Sequence, residues 1–302
     1  ASVGFHYLSF GQHLLSHPVA WPQPFPLIAR LAPHAGDMRL VCQVLLLPMH
    51  NPAWIAEEVA TLDHICHGRF VLACGLGYRK VELEASGIQK KERVSRLVEG
   101  LELMTQLWSG EEVTFHGRYY HITSGRMGFT PLQKPRPPIW LASQSHGAAA
   151  RAARLADGCI ISPVVGWDDF RALAKTYQEE FHKTKRPGKP ILAASRYLIL
   201  GSDPRTAIQD HIESLNRIRA RYQVWDMREK TMVSVHLQAT QDTADEVIAG
   251  RPSDCIETLK CYEREAGLEY VTLTFPDMPK DLQGRLEYIE MFGKEIIQKY
   301  SK

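Results

Sequence analysis

Three short stretches hold residue types at spacings that suit chemistry. In "FGQHLL" (10–15), His13 follows an apolar run. At the C-terminal mouth of a strand an imidazole can move protons near neutral pH, because its unperturbed pKa is about 6.5; a surface or packing histidine is the competing reading. In "ASQSHGAA" (142–149), Ser143, Gln144 and Ser145 lead into small residues that open a helix. Unbonded N–H groups there, with serine hydroxyls alongside, suit a phosphate monoester, and an ordinary serine N-cap is the alternative. In "RFVLACGLGYRK" (69–80) an apolar run enters a Cys-Gly-Leu-Gly turn. A dinucleotide fingerprint requires a third glycine where Lys80 stands, so that reading fails. Gly75 and Gly77 read instead as a bare rim at a strand end, open to a flat ring or a phosphate, or as a plain tight turn.

Other groups point to less. Cys42, Cys66, Cys74, Cys159, Cys255 and Cys261 show no CxxC spacing, which predicts buried free thiols rather than disulfides or a metal site. His116, His121 and His146 read as solvated loop histidines. A formal charge of +2 over 302 residues, without a long basic run, argues against nucleic acid. No apolar stretch reaches membrane-span length, so the expectation is a soluble cytoplasmic protein that engages neither nucleic acid nor membrane.

The elements that must position these residues alternate along the chain. Strands are predicted at 5–10, 39–47, 69–75, 138–142, 158–162, 191–200 and 270–275. Helical spacing occupies 52–66, 91–108, 145–158, 168–183, 204–221, 252–266 and 281–299. Such a βα rhythm builds a parallel sheet, either doubly wound or closed as an eightfold barrel. The open sheet would prefer a Gly-rich nucleotide turn after its first strand, and none is present. The expected fold is therefore an α/β (β/α)8 TIM barrel, one domain over 1–302, with insertions near 111–137 and 222–250. The chain opens almost inside an element, so a strand and a helix are expected upstream of Ala1, which would bring the strand count to eight.

The run Arg39–Glu84, "RLVCQVLLLPMHNPAWIAEEVATLDHICHGRFVLACGLGYRKVELE", resembles the core of the bacterial luciferase-like flavin-dependent monooxygenases. The likeness continues through Lys91–Trp108, "FHGRYY", "PRPPIWLASQS" and "AARLADG". It implies the barrel fold and a two-component monooxygenase. Such an enzyme takes reduced FMN from a separate flavin reductase, reacts it with O2 to a C4a-(hydro)peroxyflavin and oxygenates a small organic substrate. Trp140, Trp167 and Trp225 suggest that the substrate is apolar. The resemblance also implies that His13 lies beside flavin and substrate, with Gln12 where relatives carry an acid. It implies a cis peptide at Gln43-Val44 behind the ring, Cys74 and Ser162 as pocket lining, and Ser143, Gln144 and Ser145 on the phosphate. Arg79 is a substitute phosphate donor on this reading, because Gln144 and Gly75 depart from luciferase's acid and arginine. A homodimer is implied as well. Two alternatives stand beside it: an F420-dependent hydride-transfer oxidoreductase, and a non-catalytic flavin-binding homologue.

Overall fold

The computed structural model describes residues 2–224, 246–276 and 278–300. It divides into two compact units, one of His6–Ala142 with Leu155–Asp157, the other of Ala1–Phe5, Ser143–Arg154 and Gly158–Lys302.

The first unit is built on strands β1 (Tyr7–Phe10), β2 (Arg39–Leu45), β3 (Phe70–Cys74) and β6 (Ile139–Ser143), the last crossing out of the unit at its final residue. They pair in parallel in that order, with Ser9 opposite Val41, Val41 opposite Val71 and Ala73 opposite Trp140. All five residues of β3 are buried. A parallel strand covered on both faces must be apolar throughout, which is why 69–75 reads as a continuous run instead of an alternation. The helix Pro52–Ile65 starts where Asn51 accepts a hydrogen bond from the Ala53 N–H and Pro52 occupies the first turn, where a missing N–H costs nothing. It buries Ile55, Val59 and Leu62, and the Trp108 indole donates to the Ala56 carbonyl at 3.0 Å. Between the helix Arg93–Leu107 and β6 stands an antiparallel hairpin of β4 (Val113–His116) and β5 (His121–Gly125), the expected insertion. Glu99 holds it by accepting the N–H groups of Tyr119 and Tyr120, each at 2.8 Å.

The second unit holds β7 (Gly158–Ile161), β8 (Ile191–Leu200), β9 (Val247–Gly250) and β10 (Leu268–Thr274). The early part of β8 pairs in parallel with β7 and β10, and its last residues pair with β9, Leu198 opposite Ile248. Leu198, Ile248, Cys255, Phe292 and Ile296 pack one of its cores.

Several sequence expectations change. Residues 247–250, placed by sequence in the long 222–250 insertion, form the buried strand β9; four residues beside a polar stretch are too few to show a period. Residues 225–245 of that insertion, Trp225 among them, lie outside the described residues. The helix at 204–221 is two helices, Pro204–Asp210 and Ile212–Val224, and that at 281–299 ends in a π turn at Gly293–Ile297. Helices Pro24–Leu31 and Lys80–Ala85 were not expected; the first is proline-rich, the second only six residues long. All six cysteines are free, five of them buried. No helix among the described residues is long and apolar enough to cross a membrane.

Candidate functional site

The first unit gathers its polar groups past the end of β1. His13 follows that strand, and its Nδ1 donates to Glu82 Oε1 at 2.8 Å. The same oxygen accepts the Leu14 N–H at 3.0 Å and Arg79 Nη1 at 3.1 Å. Glu82 is wholly buried, and the His13 side chain is only 11% exposed. The other carboxylate oxygen, Oε2, is buried without a hydrogen-bond partner. Burial alone would push the Glu82 pKa up. The hydrogen bonds from His13 and Leu14, with the charges of His13 and Arg79, outweigh it and hold the carboxyl below its ordinary value. Trp21 and Tyr78 meet the imidazole edge-on, with centroids at 4.9 and 6.0 Å. The bond to the carboxylate places a proton on Nδ1 and fixes the ring's tautomer.

Gln12 plays a different part from the acid it replaces. Its Oε1 accepts the Leu46 N–H at 3.0 Å and His50 Nε2 at 2.9 Å, and its Nε2 donates to Gln23 at 3.0 Å. Burial lowers the His50 pKa. The Gln12 N–H also donates to the Val44 carbonyl at 3.2 Å, so the residue before His13 is fixed to the segment leaving β2. In that segment the Gln43-Val44 peptide is cis, and the register with β3 shifts between Gln43 and Leu45.

Four expected ligand contacts look different in place. Arg79 is 5% exposed, and its Nη atoms donate to the Leu14 and Leu15 carbonyls and to Glu82; it braces the His13 turn rather than reaching out as a phosphate donor. Cys74 is wholly buried and burial pushes its thiol far up, so it neither lines an open pocket nor acts as a thiolate. A Cβ at Gly75 would stand 2.7 Å from Val44 Cγ2, and one at Gly77 2.3 Å from Met49 Cε. Val44 fills the space beside Gly75, while the atom at Gly77 is the flexible end of Met49; the φ of +71° at Gly77 favours glycine there and agrees with the tight-turn reading.

The second unit brings Ser143, Gln144, Ser145 and Ser162 together. Ser145 Oγ accepts the Ala148 N–H at 3.3 Å, capping the ten-residue helix His146–Leu155. Ser143, almost fully buried, donates to the Ser145 carbonyl at 3.2 Å. Gln144 Nε2 donates to Ser162 Oγ at 2.7 Å, and the Ser162 N–H donates to the Ser143 carbonyl at 3.4 Å. The turn is thus tied to the end of β7 and leads directly into the helix His146–Leu155. Beyond Ser162 lies Arg196, unforeseen from sequence and wholly buried; its Nη1 donates to the Ser162 carbonyl at 2.9 Å.

The remaining candidates stand apart. His116 and His121 face each other across the β4–β5 hairpin and are exposed. His146 is exposed and bonds Thr176 at 2.7 Å. Trp140 is buried inside β6, while Trp167 packs on Phe170 and Tyr262. No cluster of three or more potential metal ligands occurs among the described residues.

Residues 1–269 match the family model of luciferase-like monooxygenases. The F420-dependent glucose-6-phosphate dehydrogenase of Gordonia bronchialis is 27% identical over 268 residues, 84% of this chain and 75% of the relative. Protein y4vJ of Sinorhizobium fredii is 30% identical over 152 residues, 50% of this chain, and the match spans only 43% of that relative. Among solved structures, the monooxygenase RslO1 of Streptomyces bottropensis superposes with a TM-score of 0.82 at 20% identity, over 99% of this chain and 90% of the other. The oxygenating constituent of 3,6-diketocamphane monooxygenase from Pseudomonas putida, in complex with FMN, gives 0.79 at 20% identity, over 99% and 89%. These likenesses show the fold, α/β and TIM-barrel-like.

Proposed function

Because the chain belongs to the luciferase-like monooxygenase family, an oxidoreductase family, we propose that it is an FMN-dependent monooxygenase acting on a small organic molecule. Reduced FMN, delivered by a separate flavin reductase, supplies the electrons that activate O2. The chain's own residues do the rest. His13 Nε2 holds or passes the proton that the oxygen chemistry requires. Glu82, buried and hydrogen-bonded to Nδ1, fixes the ring's tautomer and orientation. Gln12 fixes the backbone before His13 against the cis Gln43-Val44 segment. Ser143, Gln144, Ser145 and Ser162 would hold the phosphate; their fit is supported by the capped helix terminus and by the buried guanidinium behind them.

The observation that carries this reading is the His13–Glu82 pair. A buried carboxylate, its pKa held down, is hydrogen-bonded to the histidine three residues past β1, and perturbed groups of this kind concentrate where protons are moved. One observation favours a second reading, F420-dependent hydride transfer: a relative named for F420 aligns over most of the chain. Here His13 would serve as the proton acceptor from an alcohol.

Anaerobic titration with reduced FMN and, separately, reduced F420, followed by rapid mixing with O2, tests the proposal. Saturable binding of reduced FMN and an O2-dependent transient near about 370–380 nm are expected. Tight F420 binding with no such transient would replace the monooxygenase with the hydride-transfer reading.

A further inference from the structure

A groove of about 290 Å³ opens where β2 hands over to helix Pro52–Ile65, lined by Met49, His50, Asn51, Trp54, Ile55 and Glu58. None of these residues is among those assigned to FMN. Trp54, in the first turn of the helix, is 72% exposed, a costly place for the largest apolar side chain. Glu58 lies one turn further on, on the same helix face. Partial burial pushes its carboxyl up, and no cation among the described residues pairs with it.

The state of His50 follows from its partners. The Leu46 amide can only donate, so the Gln12 atom it reaches at 3.0 Å is the carbonyl oxygen. His50 Nε2 contacts that same oxygen at 2.9 Å and must therefore carry a hydrogen. A neutral imidazole has one N–H, which leaves Nδ1 with a bare lone pair. Burial lowers the His50 pKa and favours this neutral ring, and Nδ1 has no partner among the described residues. The groove thus offers a carboxylate, an imidazole lone pair and an indole. Asn51 contributes little competition, since its side-chain oxygen is taken by the Ala53 N–H.

That combination has one kind of complement. A carboxylate pairs with a cation, a lone pair accepts its N–H, and an indole face attracts organic cations of this kind. A metal ion fits less well, because the groove supplies only two ligating side chains, and no cluster of three occurs among the described residues. We propose that this groove is a binding site for an organic ammonium group, with Glu58 as its counter-charge, His50 Nδ1 as its hydrogen-bond acceptor and Trp54 as its aromatic wall. Through the Gln12 side chain, His50 is joined to the backbone that precedes His13, so the site adjoins the proton-handling cluster.

The test is titration of the full chain with benzylammonium and its neutral isostere benzyl alcohol at low ionic strength, on wild type, Glu58→Gln and Trp54→Leu. Both side chains are exposed, so these variants should fold. Wild type should bind benzylammonium with a dissociation constant near about 1 mM and benzyl alcohol about tenfold more weakly. Glu58→Gln should weaken benzylammonium about fivefold and abolish its salt dependence, and Trp54→Leu should weaken it about threefold. The ¹⁵N resonance of His50 Nδ1 should move as benzylammonium binds. Equal affinity for the two probes, an unmoved Nδ1, full affinity in Glu58→Gln, or no saturation by about 50 mM would each overturn the proposal. So would zinc binding more tightly than benzylammonium and depending on Glu58, which would make the groove a metal site. Sedimentation supplies the last arm: a self-associating chain that Trp54→Leu dissociates would assign this face to a second copy instead.

Discussion

Glu82, in the unit of β1–β3, and Arg196, in the unit of β7–β10, are both wholly buried, yet their surroundings are opposite. One oxygen of Glu82 meets an imidazole, an amide and a guanidinium. Arg196 meets two carbonyls, a hydroxyl and two rings. A buried charge that is answered holds its neighbours in place, and removing it orphans them. A buried charge met, among the described residues, only by neutral oxygens and rings leaves no paired counter-charge behind when it is removed. The first cluster is read as proton-handling, and the second stands behind the turn read as the phosphate site.

The comparison is open to attack through stability. Glu82→Gln should have the largest effect, about 3 kcal/mol in urea unfolding at neutral pH, because it leaves the buried Arg79 guanidinium without its carboxylate. A loss below about 1 kcal/mol would mean that the carbonyls of Leu14 and Leu15 suffice for Arg79. The same variant sharpens the pH argument. Glu82 has its pKa depressed in the folded state, so its contribution is complete above the unfolded value of about 4.3 and disappears as pH falls through the folded value. Wild type should therefore lose stability more steeply than Glu82→Gln on acidification below that pH, and parallel curves would remove the electrostatic basis for the first cluster.

Smaller effects follow. Gly75→Ala places a Cβ 2.7 Å from Val44 Cγ2 and should cost about 1–3 kcal/mol by overpacking, read as a lowered urea midpoint at constant slope. Ser145→Ala removes the cap on His146–Leu155 and should cost about 1 kcal/mol. Arg196→Met should change stability least, costing about 1 kcal/mol, since the hydrogen bonds lost at Tyr262, Ser162 and Ser195 end on neutral groups and no carboxylate among the described residues is paired with it. A loss as large as that of Glu82→Gln would erase the distinction between the two clusters.

The sequence made the frame legible wherever burial leaves a pattern. β2, β3 and β8 are covered on both faces and read as apolar runs, and helix Pro52–Ile65 announced itself through Asn51-Pro52 and its spacing. The cis Gln43-Val44 peptide follows from the family resemblance and is present in the structure, and His13 stands out as a histidine just past an apolar run. Glu82 is not legible, because its partner lies 69 residues away and its helix is too short for a period; position 12 lacks an acid, and the carboxylate arrives from the segment after β3 instead. Arg196 was passed over inside a strand, although a lone charge in a ten-residue apolar run is itself a signal, since such a side chain is rarely buried without a reason. For Gly75 and Gly77 the tight-turn reading is legible in the sequence and Gly77 has φ +71°, but that Val44 and Met49 stand beside them is not.

The division of labour between the proton-handling cluster and the phosphate turn is tested most directly by the dissociation constant for reduced FMN, measured anaerobically on folded wild type, Glu82→Gln and Ser145→Ala under one set of conditions. The account predicts binding weakened by about tenfold or more in Ser145→Ala and by no more than about threefold in Glu82→Gln. Weakening in Glu82→Gln equal to or greater than that in Ser145→Ala would contradict it.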